Sequence, residues 1–151
     1  MKFIALTLLT FITFSFSIAN AEIEIFKDYK PSDTIYSMST VKVDANMGEV
    51  YLEGLMNTWM ESVEAQKKLG HIEDYAIYVS DMPASGDFNV VLLVIFENSA
   101  DLAPNKAKYD AFINEMSKKK VDESTEFARK NYPSIRTITG EYLFRKIEVL
   151  Q

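Results

Sequence analysis

The chain has 151 residues and no cysteine, and its 16 basic and 22 acidic residues give a formal net charge of −6 at pH 7. This acidic balance argues against nucleic acid as a partner, because phosphate binding needs clustered Lys and Arg side chains. The lack of cysteine excludes disulfides, thiolate nucleophiles and cysteine-based metal sites. The basic run at residues 118–120 is typical of the solvated face of a helix.

Residues 1–21, MKFIALTLLTFITFSFSIANA, predict a signal peptide that is cleaved after Ala21. One lysine precedes an apolar run, and Ala19-Asn20-Ala21 has the small-x-small pattern of a cleavage site. A membrane anchor is the alternative, but Thr and Ser residues interrupt the run, which is shorter than the ~20 residues that span a bilayer. We therefore expect a periplasmic or secreted protein with no stable membrane anchor after cleavage.

The remaining 130 residues carry a net charge of −7, because Lys2 is lost, and they suit one domain with its own core. Residues 22–33, EIEIFKDYKPSD, are charged and contain Pro31, so they predict an extended leader. Residues 34–151 are expected to form the folded domain.

The first predicted strand and helix follow the leader. TIYSMSTVKV alternates along residues 34–43 and is rich in β-branched and aromatic side chains. Asn46 and Glu49 have capping-box spacing, and Gly70 fits the left-handed position that ends a helix near Leu69. The apolar residues between these ends recur at helical spacing: Leu52, Leu55, Met56, Trp59, Met60 and Val63.

A hairpin is predicted next. EDYAIYVS alternates as a second strand, MPASGD is rich in turn formers, and FNVVLLVIFEN reads as a third strand. The third strand is apolar on both faces, which indicates a central strand covered on both sides. A mostly helical stretch then begins near Pro104 and stops before Pro133, and the last strand lies within residues 135–150, with a bulge expected at Gly140.

This order of strand, helix, strand, strand, helix, strand predicts an α+β fold of the ferredoxin-like βαββαβ type, an antiparallel sheet with both helices on one face. Two helices cover only one side of such a sheet, yet the first and third strands carry apolar side chains on the other side as well. We infer a homodimer in which two sheets face each other, because large exposed apolar patches are uncommon on soluble monomers.

The element order, KKLGHI before a strand, the hairpin DYAIYVSDMPASGDFNVVLLVIFEN and the closing GEYLFRKIEV resemble the dimeric α/β-barrel superfamily, and more narrowly its uncharacterised exported bacterial members. The resemblance covers residues 35–149 and implies a homodimeric barrel. The superfamily includes cofactor-free monooxygenases of aromatic polyketides, haem-degrading enzymes, isomerases and members without established activity. None of their catalytic residues can be placed on this chain.

His71 is the single histidine and a candidate catalytic residue or ligand. A metal site needs further ligands, and only neighbouring carboxylates such as Glu73 and Asp74 are near in sequence, so no metal site is predicted. The position directly after Gly70 favours a role at the helix end.

Aromatic residues are the other candidates. Trp59 lies in the helix stripe, where core packing is favoured over stacking on a ligand. The candidate ligand-binding residues are Tyr36, Tyr75, Tyr78 and Tyr142, because converging hydroxyls on an apolar wall are common in small-molecule pockets. Ordinary sheet packing of these tyrosines is the favoured alternative.

Glu141 and Arg145 could form a buried polar pair, although an exposed edge of the last strand is the more common arrangement. No phosphate loop, nucleophile elbow, HExxH motif or calcium loop is present, and no cofactor is predicted.

We expect an exported homodimer that binds a small apolar or aromatic molecule between its sheet and helices. The alternatives are a cofactor-independent, monooxygenase-like enzyme using His71, Trp59 or pocket tyrosines, and a structural module without a cavity.

Overall fold

A computed structural model describes residues 22–150, so the predicted signal peptide lies outside the described residues. In chain order the elements are β1 (Tyr29–Pro31), β2 (Ile35–Val43), α1 (Gly48–Leu55), a π-helical turn (Met56–Met60), α2 (Glu61–Lys68), β3 (Asp74–Val79), β4 (Val90–Phe96), a 3-10 turn (Ser99–Leu102), α3 (Lys106–Met116), α4 (Lys118–Asn131), a second 3-10 turn (Tyr132–Ser134), β5 (Arg136–Phe144) and β6 (Ile147–Val149).

The main sheet has four antiparallel strands in the order β3-β4-β2-β5. The two helical regions connect β2 to β3 and β4 to β5, which gives the βαββαβ sequence of elements. This confirms the predicted ferredoxin-like α+β fold and the central position of β4. The register between β2 and β5 shifts opposite Gly140, which confirms the expected bulge.

The first helical region differs from its prediction at two places. Asn46 has a φ of 65° and Met47 is the N-cap without a side-chain bond, so the predicted capping box is wrong. The π-helical turn then interrupts the 3.6-residue period, because each π turn contains an additional residue. Met56, placed by periodicity in the buried stripe, is 59% exposed, whereas Tyr51 is only 1% exposed.

The second helical region is divided at Ser117, whose φ of 64° separates α3 from α4. The Asn105 side chain accepts a hydrogen bond from the Lys108 amide and caps α3, and the Ser117 hydroxyl accepts one from the Lys120 amide at the start of α4. The chain thus bends between two helices, of which α3 packs against α2 and α4 packs against the π-helical turn.

The core lies between the helices and one face of the sheet. Its buried cluster consists of Val41, Val43, Tyr51, Leu55, Val90 and Tyr132. The helices approach closely at Gly54, where an added Cβ would lie 2.9 Å from Cε1 of Tyr132. The Tyr132 hydroxyl is 2.6 Å from the Thr58 hydroxyl, so this buried polar group has a partner.

The opposite face of the sheet is not covered by a helix, and we call it the open face. Strand alternation and register place these residues on it: Tyr36, Met38, Ala76, Tyr78, Val91, Leu93, Ile95, Tyr142 and Phe144. Tyr78 is 58% exposed and Phe144 is 48% exposed. The sequence predicts that both faces of β4 are covered. Within a single chain, helices cover only one of these faces.

The two ends of the described chain pair with each other. β1 and β6 form a two-stranded antiparallel sheet in which Tyr29 lies opposite Val149 and Pro31 opposite Ile147. The predicted last strand is consequently divided into β5 and β6. The boundary between leader and domain at residue 34 stays a prediction. Within residues 22–150, no helix has the length and apolar character needed to cross a membrane.

Candidate functional site

A cleft of about 680 Å³ opens at one end of the sheet, between the start of α1 and the loop that joins β3 to β4. Its apolar wall comes from strand, helix and loop residues: Val43, Leu52, Val79, Pro83, Ala84 and Val90. Lys42, Asp44, Glu49 and Asn89 add polar groups. This volume and mostly apolar wall are those of pockets that take small organic molecules. We call this the helix-side cleft.

Asn89 fixes the floor of the helix-side cleft. Its Oδ1 accepts a hydrogen bond from the Val43 amide at 2.7 Å, and its Nδ2 donates to the Val43 carbonyl at 2.8 Å. The same Nδ2 lies 3.2 Å from the Pro83 carbonyl. Asn89 is 7% exposed, so these bonds satisfy a side chain that would otherwise be costly to bury.

Lys42 forms hydrogen bonds to the loop between β3 and β4, which is the outer wall of the helix-side cleft. Its ammonium donates to the carbonyl oxygens of Pro83 at 3.2 Å and Gly86 at 3.0 Å. Gly86 has a φ of 73°, a left-handed conformation that glycine adopts readily. The composition of residues 82–87 of this loop, MPASGD, predicts only a turn. The signal for its role was a polar residue, Asn89, placed directly before an apolar strand.

Trp59 and Tyr75 are the two candidate residues that the structure brings together. Their rings meet edge to face with centroids 5.7 Å apart on the helix side of the sheet. The Tyr75 hydroxyl donates to Glu64 Oε1 at 3.0 Å. Burial, followed by this bond to Glu64, raises the pKa of Tyr75. The hydroxyl is thus engaged with a helix residue, and neither ring lines the helix-side cleft.

Tyr36, Tyr78 and Tyr142 lie on the open face, opposite the helix-side cleft. The ring of Tyr142 stacks on Phe144 with centroids 5.7 Å apart. It also lies over Gly140, where an added Cβ would clash with the Tyr142 hydroxyl. The four candidate tyrosines are therefore divided between two faces of the sheet and do not converge on one pocket.

His71 follows the end of α2 in a Schellman arrangement. Gly70 has a φ of 67°, its amide donates to the Lys67 carbonyl at 3.0 Å, and the His71 amide donates to the Gln66 carbonyl at 2.9 Å. The backbone of His71, not its ring, satisfies the last carbonyls. The helix-end interpretation of this position agrees with the geometry.

The His71 ring borders a smaller hollow of about 180 Å³ beside the ion pair of Lys108 and Asp101, whose atoms are 2.7 Å apart. Burial lowers the pKa of His71, the Lys108 ammonium lowers it further, and Asp101 opposes the shift. Trp59 does not line this hollow, nor does any of the four candidate tyrosines. In residues 22–150, no three His, Cys, Asp or Glu side chains are placed to hold a metal ion.

Glu141 and Arg145 do not pair. Arg145 instead donates from Nη1 to the carbonyl oxygens of Ser32 at 2.9 Å and Asp33 at 3.0 Å. Both Glu141 and Arg145 are exposed, as the more common arrangement predicted. Arg145 therefore ties the segment before β2 to the end of β5.

Neither a scan against protein-family models nor a search of curated proteins finds a match. The similar solved structures include protein SO0527 from Shewanella oneidensis, with 12% identity, 80% of this chain and 98% of that chain covered, and a TM-score of 0.48. HapK from Hahella chejuensis has 9% identity, covers 74% of this chain and 91% of its own, and has a TM-score of 0.46. A dimeric protein of ferredoxin-like fold from Bacteroides fragilis has 12% identity, covers 80% and 99%, and has a TM-score of 0.41.

These likenesses are too distant to assign a role to any residue. The strand order β3-β4-β2-β5 and the two helical crossovers are independent of them. By these features, the chain has the ferredoxin-like fold on which the dimeric α/β-barrel superfamily is built.

Proposed function

We propose that this chain is an exported homodimer that binds a small, largely apolar molecule in the helix-side cleft. The observation that carries the ligand proposal is the cleft itself, which combines an apolar wall with a few fixed polar groups. Its shape depends on Asn89 and Lys42, which hold the loop against the end of the sheet. A ligand would therefore enter a site whose walls are already in place.

The open face supports the homodimer. Tyr78, Tyr142 and Phe144 are between 46% and 58% exposed. Tyr78 pairs with Val91 of β4, and Tyr142 and Phe144 pair with Met38 and Tyr36 of β2. An apolar sheet face of this kind on a soluble protein marks an interaction surface. A second copy is the simplest cover, because a two-fold interface uses the same patch on both subunits.

The sequence of residues 1–21 supports export. A lysine, an apolar run and Ala19-Asn20-Ala21 form the pattern of a cleaved signal peptide. A chain without cysteine is also compatible with an oxidising compartment, since it has no thiol to react there.

The division of the candidate tyrosines between two faces counts against the enzyme alternative. That alternative needs His71, Trp59 and tyrosine hydroxyls around one cavity, and the helix-side cleft is lined by none of them. The polar side chains that remain at the cleft are suited to orienting a ligand by hydrogen bonds.

The ligand proposal is tested with the neutral fluorophore N-phenyl-1-naphthylamine. Gly48 lines the cleft, and a Cβ at this position meets no atom within 4 Å, so we use Gly48→Phe to add a ring at the cleft. Val50→Phe adds a similar ring at a 54% exposed position of the same helix, outside the cleft.

We expect saturable fluorescence enhancement with the unchanged protein and with Val50→Phe, and binding about tenfold weaker or lost with Gly48→Phe. Equal binding by the two variants would place the fluorophore elsewhere and contradict the proposal. Circular dichroism of each variant establishes that the fold is retained.

A further inference from the structure

A second cleft, of about 430 Å³, lies where α4 ends and β5 begins, and it shares no lining residue with the helix-side cleft. We call it the arginine cleft. It is lined by Ala128, Arg129, Tyr132, Pro133, Arg136 and Ile138. Two of these six residues are arginines, in a chain whose acidic residues outnumber its basic ones by 22 to 16. Most basic side chains of such a chain are expected to find carboxylate partners.

Neither arginine of this cleft has such a partner. Across residues 22–150, no carboxylate lies within ion-pair distance of Arg129 or Arg136. By contrast, nine ion pairs engage lysines of the same region. The third arginine, Arg145, donates to two backbone carbonyls. The arginine cleft thus holds two guanidinium groups whose charges are not neutralised by the described part of the chain.

The guanidinium of Arg136 lies close to two tyrosine rings. The guanidinium carbon lies 5.1 Å from the ring centroid of Tyr132 and 5.8 Å from that of Tyr51. Its Nε atom is buried and has no hydrogen-bond partner among the described residues. A cation–π contact uses no hydrogen-bond donor, so it leaves the guanidinium N–H groups without an acceptor from these two rings. A buried donor of this kind needs an acceptor, and a carboxylate oxygen is one that a guanidinium N–H bonds strongly.

The rest of the lining is apolar. Ala128, Pro133 and Ile138 border the two arginines, and Ile138 is 48% exposed. An anionic head bound by the guanidinium groups would therefore have an apolar surface next to it. Guanidinium N–H groups match the two oxygens of a carboxylate in one plane, and such charge-assisted bonds are strong.

From this geometry we infer that the arginine cleft is a binding site for a small organic carboxylate, with its oxygens on Arg136 and Arg129 and its apolar body against Ile138 and Pro133. This site is separate from the helix-side cleft, and its ligand differs in charge from the one proposed there. Its existence does not depend on the proposed function.

The inference is tested by titrating the full mature protein with sodium benzoate, with benzyl alcohol as the neutral analogue and with inorganic phosphate as an anion lacking an apolar body. The readout is the nuclear magnetic resonance signal of the Arg136 Nε–H together with the ring signals of Tyr132. Arg129→Gln removes one charge from an exposed lining position, and Lys130→Gln removes one charge from the next residue, which does not line the cleft.

We expect benzoate to shift the Arg136 and Tyr132 signals saturably and to bind at least about tenfold more tightly than benzyl alcohol or phosphate. Arg129→Gln should weaken benzoate binding by about tenfold, and Lys130→Gln should change it by less than about twofold. Equal binding of benzoate and benzyl alcohol, binding of phosphate as tight as that of benzoate, or equal effects of the two variants would each overturn the inference. So would the absence of any saturable shift at Arg136.

Discussion

Asn89 bonds both the amide and the carbonyl of Val43, two residues 46 positions apart in sequence, at distances of 2.7 and 2.8 Å. Val43 is the last residue of β2 and lies beyond the stretch of β2 that pairs with β4. The side-chain amide of Asn89 takes the place of the backbone groups that a longer β4 would offer to Val43. The same Nδ2 reaches Pro83 and draws the hairpin loop over the end of the sheet. One buried side chain thus connects the sheet to the wall of the helix-side cleft.

Asn89→Ala is expected to destabilise the fold. Both polar groups of Val43 would be left buried without a partner, at a cost of roughly 2–4 kcal/mol in the free energy of unfolding. Urea denaturation followed by circular dichroism measures this loss. Asn114→Ala, at an exposed position of α3, is the matched control and should change stability by less than about 0.5 kcal/mol. Similar losses for the two variants would show that the Asn89 bonds contribute little.

Gly54→Ala tests the close approach between α1 and Tyr132, the residue that follows α4. The added Cβ would lie 2.9 Å from the Tyr132 ring, so we expect a loss of about 1–3 kcal/mol despite the higher helix propensity of alanine. Gly48→Ala meets no atom within 4 Å and should be neutral or slightly stabilising. Denaturation midpoints of the two variants give the comparison, and an unchanged midpoint for Gly54→Ala would contradict the packing described for Tyr132.

Lys42→Met should loosen the loop between β3 and β4 without unfolding the sheet. The substitution removes the bonds to the Pro83 and Gly86 carbonyls and keeps a side chain of similar length. Hydrogen exchange of amides in residues 80–88 is expected to accelerate by about threefold to tenfold. Lys27→Met, at an exposed position of the N-terminal segment, serves as control and should leave this loop unchanged. A loop that exchanges equally in both variants would mean that Lys42 does not restrain it.

Stability should fall at alkaline pH because of two buried tyrosines. Burial raises the pKa of Tyr51, with Arg136 opposing the shift, and burial also raises the pKa of Tyr132. In the unfolded chain these hydroxyls ionise near their ordinary pKa of about 10. The folded state keeps their protons to higher pH. The contribution of the two tyrosines to the free energy of unfolding is therefore fully present below about pH 10, and it is lost as the pH rises through their pKa values in the folded state.

Denaturation at a series of pH values checks this dependence. Tyr132→Phe should reduce the loss of stability above about pH 10, because one of the two shifted groups is removed. Tyr78→Phe, which removes a hydroxyl at an exposed position, is the matched control. An alkaline decline of equal size in the two variants would refute the role assigned to Tyr132.

Features that depend on neighbouring residues could be predicted from the sequence. Alternation and apolar runs identified the four strands of the main sheet, Gly70 identified the end of the first helical region, and Gly140 identified the bulge. The short strands β1 and β6 were not predicted as separate elements. Each of these signals is local, because it comes from side-chain period or from backbone conformations that favour glycine.

Features that depend on distant residues were not predictable in this way. The π-helical turn places Thr58 against Tyr132, 74 positions away in sequence, and no periodicity indicates such a contact. The partners of Asn89 and the arginine cleft likewise arise when separate segments meet. Candidate tyrosines could be named from composition, but their division between two faces follows from the pairing register.

Light scattering at micromolar concentration measures the mass of the mature chain in solution and so tests whether it forms a homodimer. Tyr78 on the open face and Tyr109 on α3 are 58% and 59% exposed, so aspartate at each position adds the same charge at equal exposure. We predict twice the mass of one chain for the unchanged protein and for Tyr109→Asp, and a large shift towards the monomer for Tyr78→Asp. A monomeric mass for the unchanged protein, or a Tyr78→Asp variant that stays as dimeric as Tyr109→Asp, would contradict the homodimer formed through the open face.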